Sequence, residues 1–157
     1  MQTNYLLPHK YKKVGWILFI LGIILGLFLV SDNYESDTLS IKVLSIFDTP
    51  FSDTKTSGYF RLIENDIINE IISLFIILGG LLVGFSKEKI EDEFIHKLRY
   101  ESLAWAIILN YFILVFTIIF VYNLAFFDVL VFNMFTPLLF FIIRFNFLKL
   151  KSRSHEE

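Results

Sequence analysis

Four apolar runs, at residues 14–30, 67–85, 103–122 and 129–148, decide what this chain can fold into. Each holds about 17 to 20 residues, and at about 1.5 Å rise per residue a helix of that length matches the hydrocarbon core of a bilayer. A water-soluble chain of 157 residues has no use for four of them. The pattern predicts an all-α membrane protein: a four-transmembrane-helix bundle forming one membrane domain over residues 1–157. Composition agrees. Nineteen Phe and a hydrophobic fraction of 55% exceed the soluble norm of about 45–50%.

Charge position orients the spans. Lys10, Lys12 and Lys13 precede the first run; Lys87, Lys89, Lys97 and Arg99 separate the second from the third; Lys149, Lys151 and Arg153 follow the fourth. The segment 31–66 is mostly acidic, and the turn between runs three and four has no basic residue. Basic residues are retained on the cytoplasmic side, so both termini and the charged segment 87–102 are expected inside and residues 31–66 outside. The first run ends Phe28-Leu29-Val30-Ser31-Asp32, without a small-x-small cleavage pattern, and reads as an anchor rather than a cleaved signal. Cysteine is absent, which removes disulfides, thiolate nucleophiles and cysteine metal sites.

Gly22 and Gly26 in run one, and Gly80 and Gly84 in run two, form small-xxx-small pairs that let helix backbones approach. Packing of helices one and two on each other is the expectation, with homo-oligomerisation as the alternative. Between those helices, Leu39–Val43 alternates apolar and polar residues, and Tyr59–Ile63 is placed to pair back on it, with Thr49-Pro50 and Ser57-Gly58 as turn formers. A short β-hairpin in the outer loop, or a partly ordered loop, follows. Ile90, Phe94, Leu98, Ser102 and Trp105 recur at helical spacing, which predicts one long helix from about Glu88 to Tyr122. Asn123 to Asp128 should form a tight turn, with Asp128 capping helix four. Pro137 removes the donor to the Asn133 carbonyl and predicts a kink.

Polar side chains inside spans are costly and are the first functional candidates. Asn110 and Thr117 share a face of helix three; Asn133 and Arg144 share one on helix four. Interhelical glue is the ordinary role of such groups, and a polar pathway the sharper one. Arg144 is expected to snorkel to the inner interface or to pair with Glu101, Glu91, Asp92 or Glu93. Glu93-Phe-Ile-His96 is a single Glu-x-x-His, whereas di-metal bundles need two copies plus further carboxylates. A solvated charged face is the expectation there. No phosphate loop, nucleophile elbow or zinc-protease motif occurs, and no basic stripe suits nucleic acid. Neither a metal nor another cofactor is expected.

The segments Phe85–Ala106 and Phe132–Asn146 resemble a family of small uncharacterised bacterial membrane proteins with four spans and no assigned activity. A looser resemblance is to short multispan proteins with an acidic Asp-Glu motif before a span; Glu91, Asp92 and Glu93 stand in that place, with Phe94 where those proteins carry Arg. The first resemblance implies a bacterial inner membrane. The expected function is a non-enzymatic protein that works in the lipid bilayer through contact with a protein partner. Its cytoplasmic contact would be Glu91, Asp92, Glu93 and Arg99, and its outer docking surface Leu39–Asp66. The alternative is a subunit of a small homo-oligomeric channel or transporter built around Asn110, Thr117, Asn133 and Arg144.

Overall fold

The computed structural model describes residues 6–31, 40–48 and 58–153. The elements are α1 (Lys10–Ser31), β1 (Ser40–Asp48), β2 (Gly58–Asp66), α2 (Ile68–Phe85), α3 (Glu93–Phe120), α4 (Leu124–Asn133) and α5 (Thr136–Arg153). α1, α2 and α3 are each long and apolar enough to cross a membrane. α4 and α5 together meet the same criterion as one pair bent by 44°. The kink expected in the fourth run appears as a break, so the chain forms three unbroken apolar helices and one bent pair.

The break lies where Pro137 requires it. Pro137 is the second residue of α5, a position where its missing N–H costs nothing. The chain tightens just before it: Met134 and Phe135 donate to the Val131 and Phe132 carbonyls, and the Thr136 hydroxyl also donates to Phe132 O at 2.8 Å.

Two expected helix starts move. α3 begins at Glu93, not near Glu88, because the Asp92 carboxylate accepts from Ile95 N at 2.7 Å and caps it. Residues 86–92 fold back instead, with the Glu88 N–H donating to Glu91 Oε2 at 2.8 Å. α4 begins at Leu124, five residues before its expected start, so Asp128 is exposed inside the helix and caps nothing. The turn is made by Asn123, at φ 60°, a conformation Asn tolerates better than most residues. Leu124-Ala-Phe-Phe127 then contains no residue that would delay helix formation.

The chain divides into two compact units, Met1–Gly22 with Leu74–Glu157, and Ile23–Ser73. In the first, α1 and α2 run antiparallel at close range. A side chain at Gly15 would meet Leu82 and Val83, one at Gly22 would meet Ile76, and one at Gly79 would lie 2.5 Å from the Phe19 backbone nitrogen. Such backbone proximity supplies close van der Waals contact between the two helices. Gly80 and Gly84 face elsewhere: they receive Leu138 and Phe141 of α5. The second glycine pair therefore seats chiefly α5, a side chain at Gly80 also meeting the Phe19 ring of α1, and Gly26 is half-buried. α3 and α5 pack antiparallel, and Phe141 and Phe145 are the largest side chains of the core.

The second unit holds the hairpin. β1 and β2 pair antiparallel from Ser40↔Asp66 to Asp48↔Gly58. It is longer than the expected one; Leu39, Thr49-Pro50 and Ser57 lie outside the described residues. Pairing is missing only between Ile46 and Phe60, where Phe60 adopts φ 51°. That is a strained conformation for an aromatic residue.

Candidate functional site

One end of the helical unit gathers the start of α1, the 86–92 connection and the last turns of α5. Leu7 joins this end by backbone bonds, its N–H donating to Phe85 O and its carbonyl accepting from Lys87 N, both at 2.9 Å. His9 adds a third tie: its Nδ1 donates to Lys87 O at 2.8 Å. These bonds place Lys12 beside Glu88, whose carboxylate also accepts from Lys149 Nζ at 3.0 Å. Lys12 is buried, and two ammonium groups share one carboxylate.

A second pair lies alongside. Arg99 binds Glu91 through both guanidinium nitrogens, the Nη2–Oε2 bond being 3.1 Å, and reaches Ser86 O at 3.4 Å. The Arg99 side chain is 5% exposed and that of Glu91 18%. Between the two pairs stands the Phe145 ring, with Arg99 Cζ at 5.2 Å, Lys12 Nζ at 5.6 Å and Lys149 Nζ at 5.8 Å from its centroid. Cations at this range are attracted by the ring quadrupole. Ser86 and Ser102 are fully buried on the same face, their hydroxyls unpaired among the described residues.

The acids respond to this surplus of positive charge. Desolvation pushes Glu88 up, but hydrogen bonds and charge from Lys12 and Lys149 outweigh it and hold the carboxyl below its ordinary range. Glu91 behaves alike: burial raises it, and Arg99 together with the Glu88 N–H brings it lower. Both remain carboxylates at neutral pH, so the cluster has three cations to two anions.

Of the residues singled out in the sequence, Glu91 and Arg99 come together as partners of each other, not as a free surface. Asp92 is spent on the α3 cap, and Glu93 is exposed in the first turn. Asn110 and Asn133 form a reciprocal amide pair between α3 and α4, with N···O distances of 3.1 and 3.4 Å. Thr117 does not join them; its hydroxyl donates to Leu114 O of its own helix at 2.8 Å. Arg144 neither pairs with an acid nor meets the asparagines. Its guanidinium lies 4.6 Å from the Trp105 ring centroid. Among the described residues no group of three or more potential metal ligands occurs.

Lys12, Glu88, Phe145 and Lys149 were not singled out from the sequence, although part of the signal was there. Lys12, Gly15, Phe19 and Gly22 share one helical stripe, all four buried, so a lysine on the glycine face was readable as an inward one. Arg99, Ser102, Ala106 and Asn110 form the matching stripe on α3. Of the expected stripe, Leu98 and Ser102 are buried, whereas Ile90, Phe94 and Trp105 are exposed.

Comparison of the chain with protein-family models, curated proteins and solved structures finds no match.

Proposed function

We propose that this chain is a multi-pass membrane protein of the bacterial inner membrane, crossing four times with both termini inside, and that it works through protein contact rather than catalysis. The outward side of α3 supports the first part. Ile108, Phe112 and Phe116 are among many large apolar side chains exposed there, a surface suited to lipid and not to water. The common end of α1, α2, α3 and α5 carries most of the basic residues, which makes it the cytoplasmic end. Reporter fusions after Asp48 and after Asn123 test this; activity of a cytoplasmic reporter at either position overturns the topology.

The observation that carries the contact reading is the hairpin. On one face Leu44 and Leu62 stand opposite each other, 64% and 73% exposed, with Ile46 and Phe60 beside them. Lys42 and Glu64, at 3.7 Å, and the Ser40–Asp66 pair beyond them are the polar pairs on that face. An exposed apolar ladder of this kind is the ordinary mark of an interaction surface. The span polar groups favour the same reading over a channel, since Asn110 and Asn133 are spent on each other and Thr117 on its own helix. Photo-crosslinking from positions 44 and 62 in native membranes, read by mass spectrometry, is the test. A single foreign protein captured at both positions, and lost in a Phe60→Ser, Ile46→Ser variant, is expected. Capture of lipid alone refutes the contact reading, and capture of only the same chain replaces it with self-assembly.

A further inference from the structure

A cavity of about 420 Å³ opens at the charged end of the helical unit. It falls within the range of small-molecule sites, roughly 300–1,000 Å³. Four lysines line it, Lys12, Lys13, Lys89 and Lys149, against the carboxylates Glu88 and Asp92. The four lysines outnumber the two carboxylates by two. Both carboxylates are already engaged, Glu88 by two lysines and Asp92 by the α3 cap. Lys13 and Lys89 are exposed and, among the described residues, have no carboxylate partner. The cavity therefore offers two free ammonium groups over a positively charged floor, the arrangement that attracts a phosphate.

Its rim is apolar. Ile90 and Phe94 are 72% and 52% exposed at the mouth, and Trp16 stands one turn along α1 from Lys12 and Lys13. Large apolar groups in a connection between spans have no reason to face water. Trp beside Lys at a helix start is the composition of the membrane–water boundary. A free phosphate would use the lysines and leave this rim idle, whereas an amphiphile uses both.

We infer that this cavity binds the phosphodiester headgroup of an anionic membrane phospholipid, with Lys13 and Lys89 on the phosphate and Ile90 and Phe94 against the first carbons of its chains. The inference rests on the chain spanning a membrane and is independent of the hairpin contact.

The test is native mass spectrometry of the full chain, purified in detergent and titrated with palmitoyl-oleoyl phosphatidylglycerol or the matching phosphatidylcholine. Retention of the phosphatidylglycerol at much lower concentration than the phosphatidylcholine is expected. Removing both charges, by Lys13→Gln with Lys89→Gln, should weaken it about thirty-fold at roughly tenfold per 1.4 kcal/mol and 1 kcal/mol per lysine. Lys97→Gln, whose partner is Glu101 outside the cavity, should leave it unchanged. Both altered lysines are exposed, so helix content by circular dichroism should match the parent. Phe94→Ser separates the sources: it should weaken lipid retention while leaving displacement by inorganic phosphate untouched. Equal retention of the two lipids, or an unchanged preference in the double variant, overturns the inference. Inorganic phosphate binding as tightly as the lipid overturns the assignment to a membrane lipid.

Discussion

Glu91→Gln isolates the buried charge at the base of α3. The substitution keeps the side chain's size, removes its charge and turns one of its two accepting oxygens into a donor, leaving the Arg99 guanidinium chiefly with the Ser86 carbonyl at 3.4 Å and the Phe145 ring at 5.2 Å. Breaking a buried ion pair from one side costs about 3–5 kcal/mol, because the other charge stays desolvated. Arg99 is 4% exposed, so it cannot turn to water without displacing the packing of α3 on α5. Those two residual contacts place the expected loss at the lower end, about 3 kcal/mol. Arg99→Met alone leaves Glu91, the more exposed partner, and should cost less. The double variant, with both charges gone and no ion left desolvated alone, should recover most of the loss and return toward the parent. Unfolding of the four proteins in mixed micelles by dodecyl sulfate, followed by far-ultraviolet ellipticity, closes the cycle. A loss under about 1 kcal/mol for Glu91→Gln, or losses that simply add, would refute the view that this pair is an internal tie.

Three further outcomes follow from the geometry. Glu88 and Glu91 are both held below their ordinary range, so their contribution is present at neutral pH and is lost as pH falls from about 4.3 through the depressed folded values. Dodecyl sulfate resistance should drop over that window in the parent, and a Glu88→Gln, Glu91→Gln variant with the same pH profile would contradict it. Gly79→Ala places a methyl 2.5 Å from Phe19 N and 2.8 Å from Phe19 Cα, which are backbone atoms that cannot swing aside. It should cost roughly 1–3 kcal/mol; unchanged thermal unfolding would contradict the packing. Asn133→Leu should cost about 1 kcal/mol by orphaning Asn110, and adding Asn110→Leu should recover most of it; no recovery would mean that the asparagines act separately.

How much was legible varies with the physics behind each feature. Crossing a bilayer demands a long apolar stretch, a property of a single segment, so each of the first three runs falls largely within one helix and the fourth within a bent pair. Pro137 acts on its own backbone, and the bend appears beside it. Alternation in residues 39–43 and 59–63 is likewise a local property, and the hairpin forms there. The charged site was half legible. Arg99 and Glu91 stood out by charge, but their eight-residue separation gave no hint that a cap at Asp92 would turn Glu91 back onto Arg99.

The sequence by itself determined which segments become helices and where one of them breaks, because those outcomes depend on solvation and backbone geometry along a few consecutive residues. Only the tertiary structure decided which way the helices face. A run that is apolar all round has no hydrophobic side to announce, so facing is settled by close backbone approach and by the few polar groups that must find partners. That is why Gly80 and Gly84 receive α5 while Gly79 receives α1, and why Lys12, which has the composition of a solvated terminus, is buried against Glu88 and the Phe145 ring.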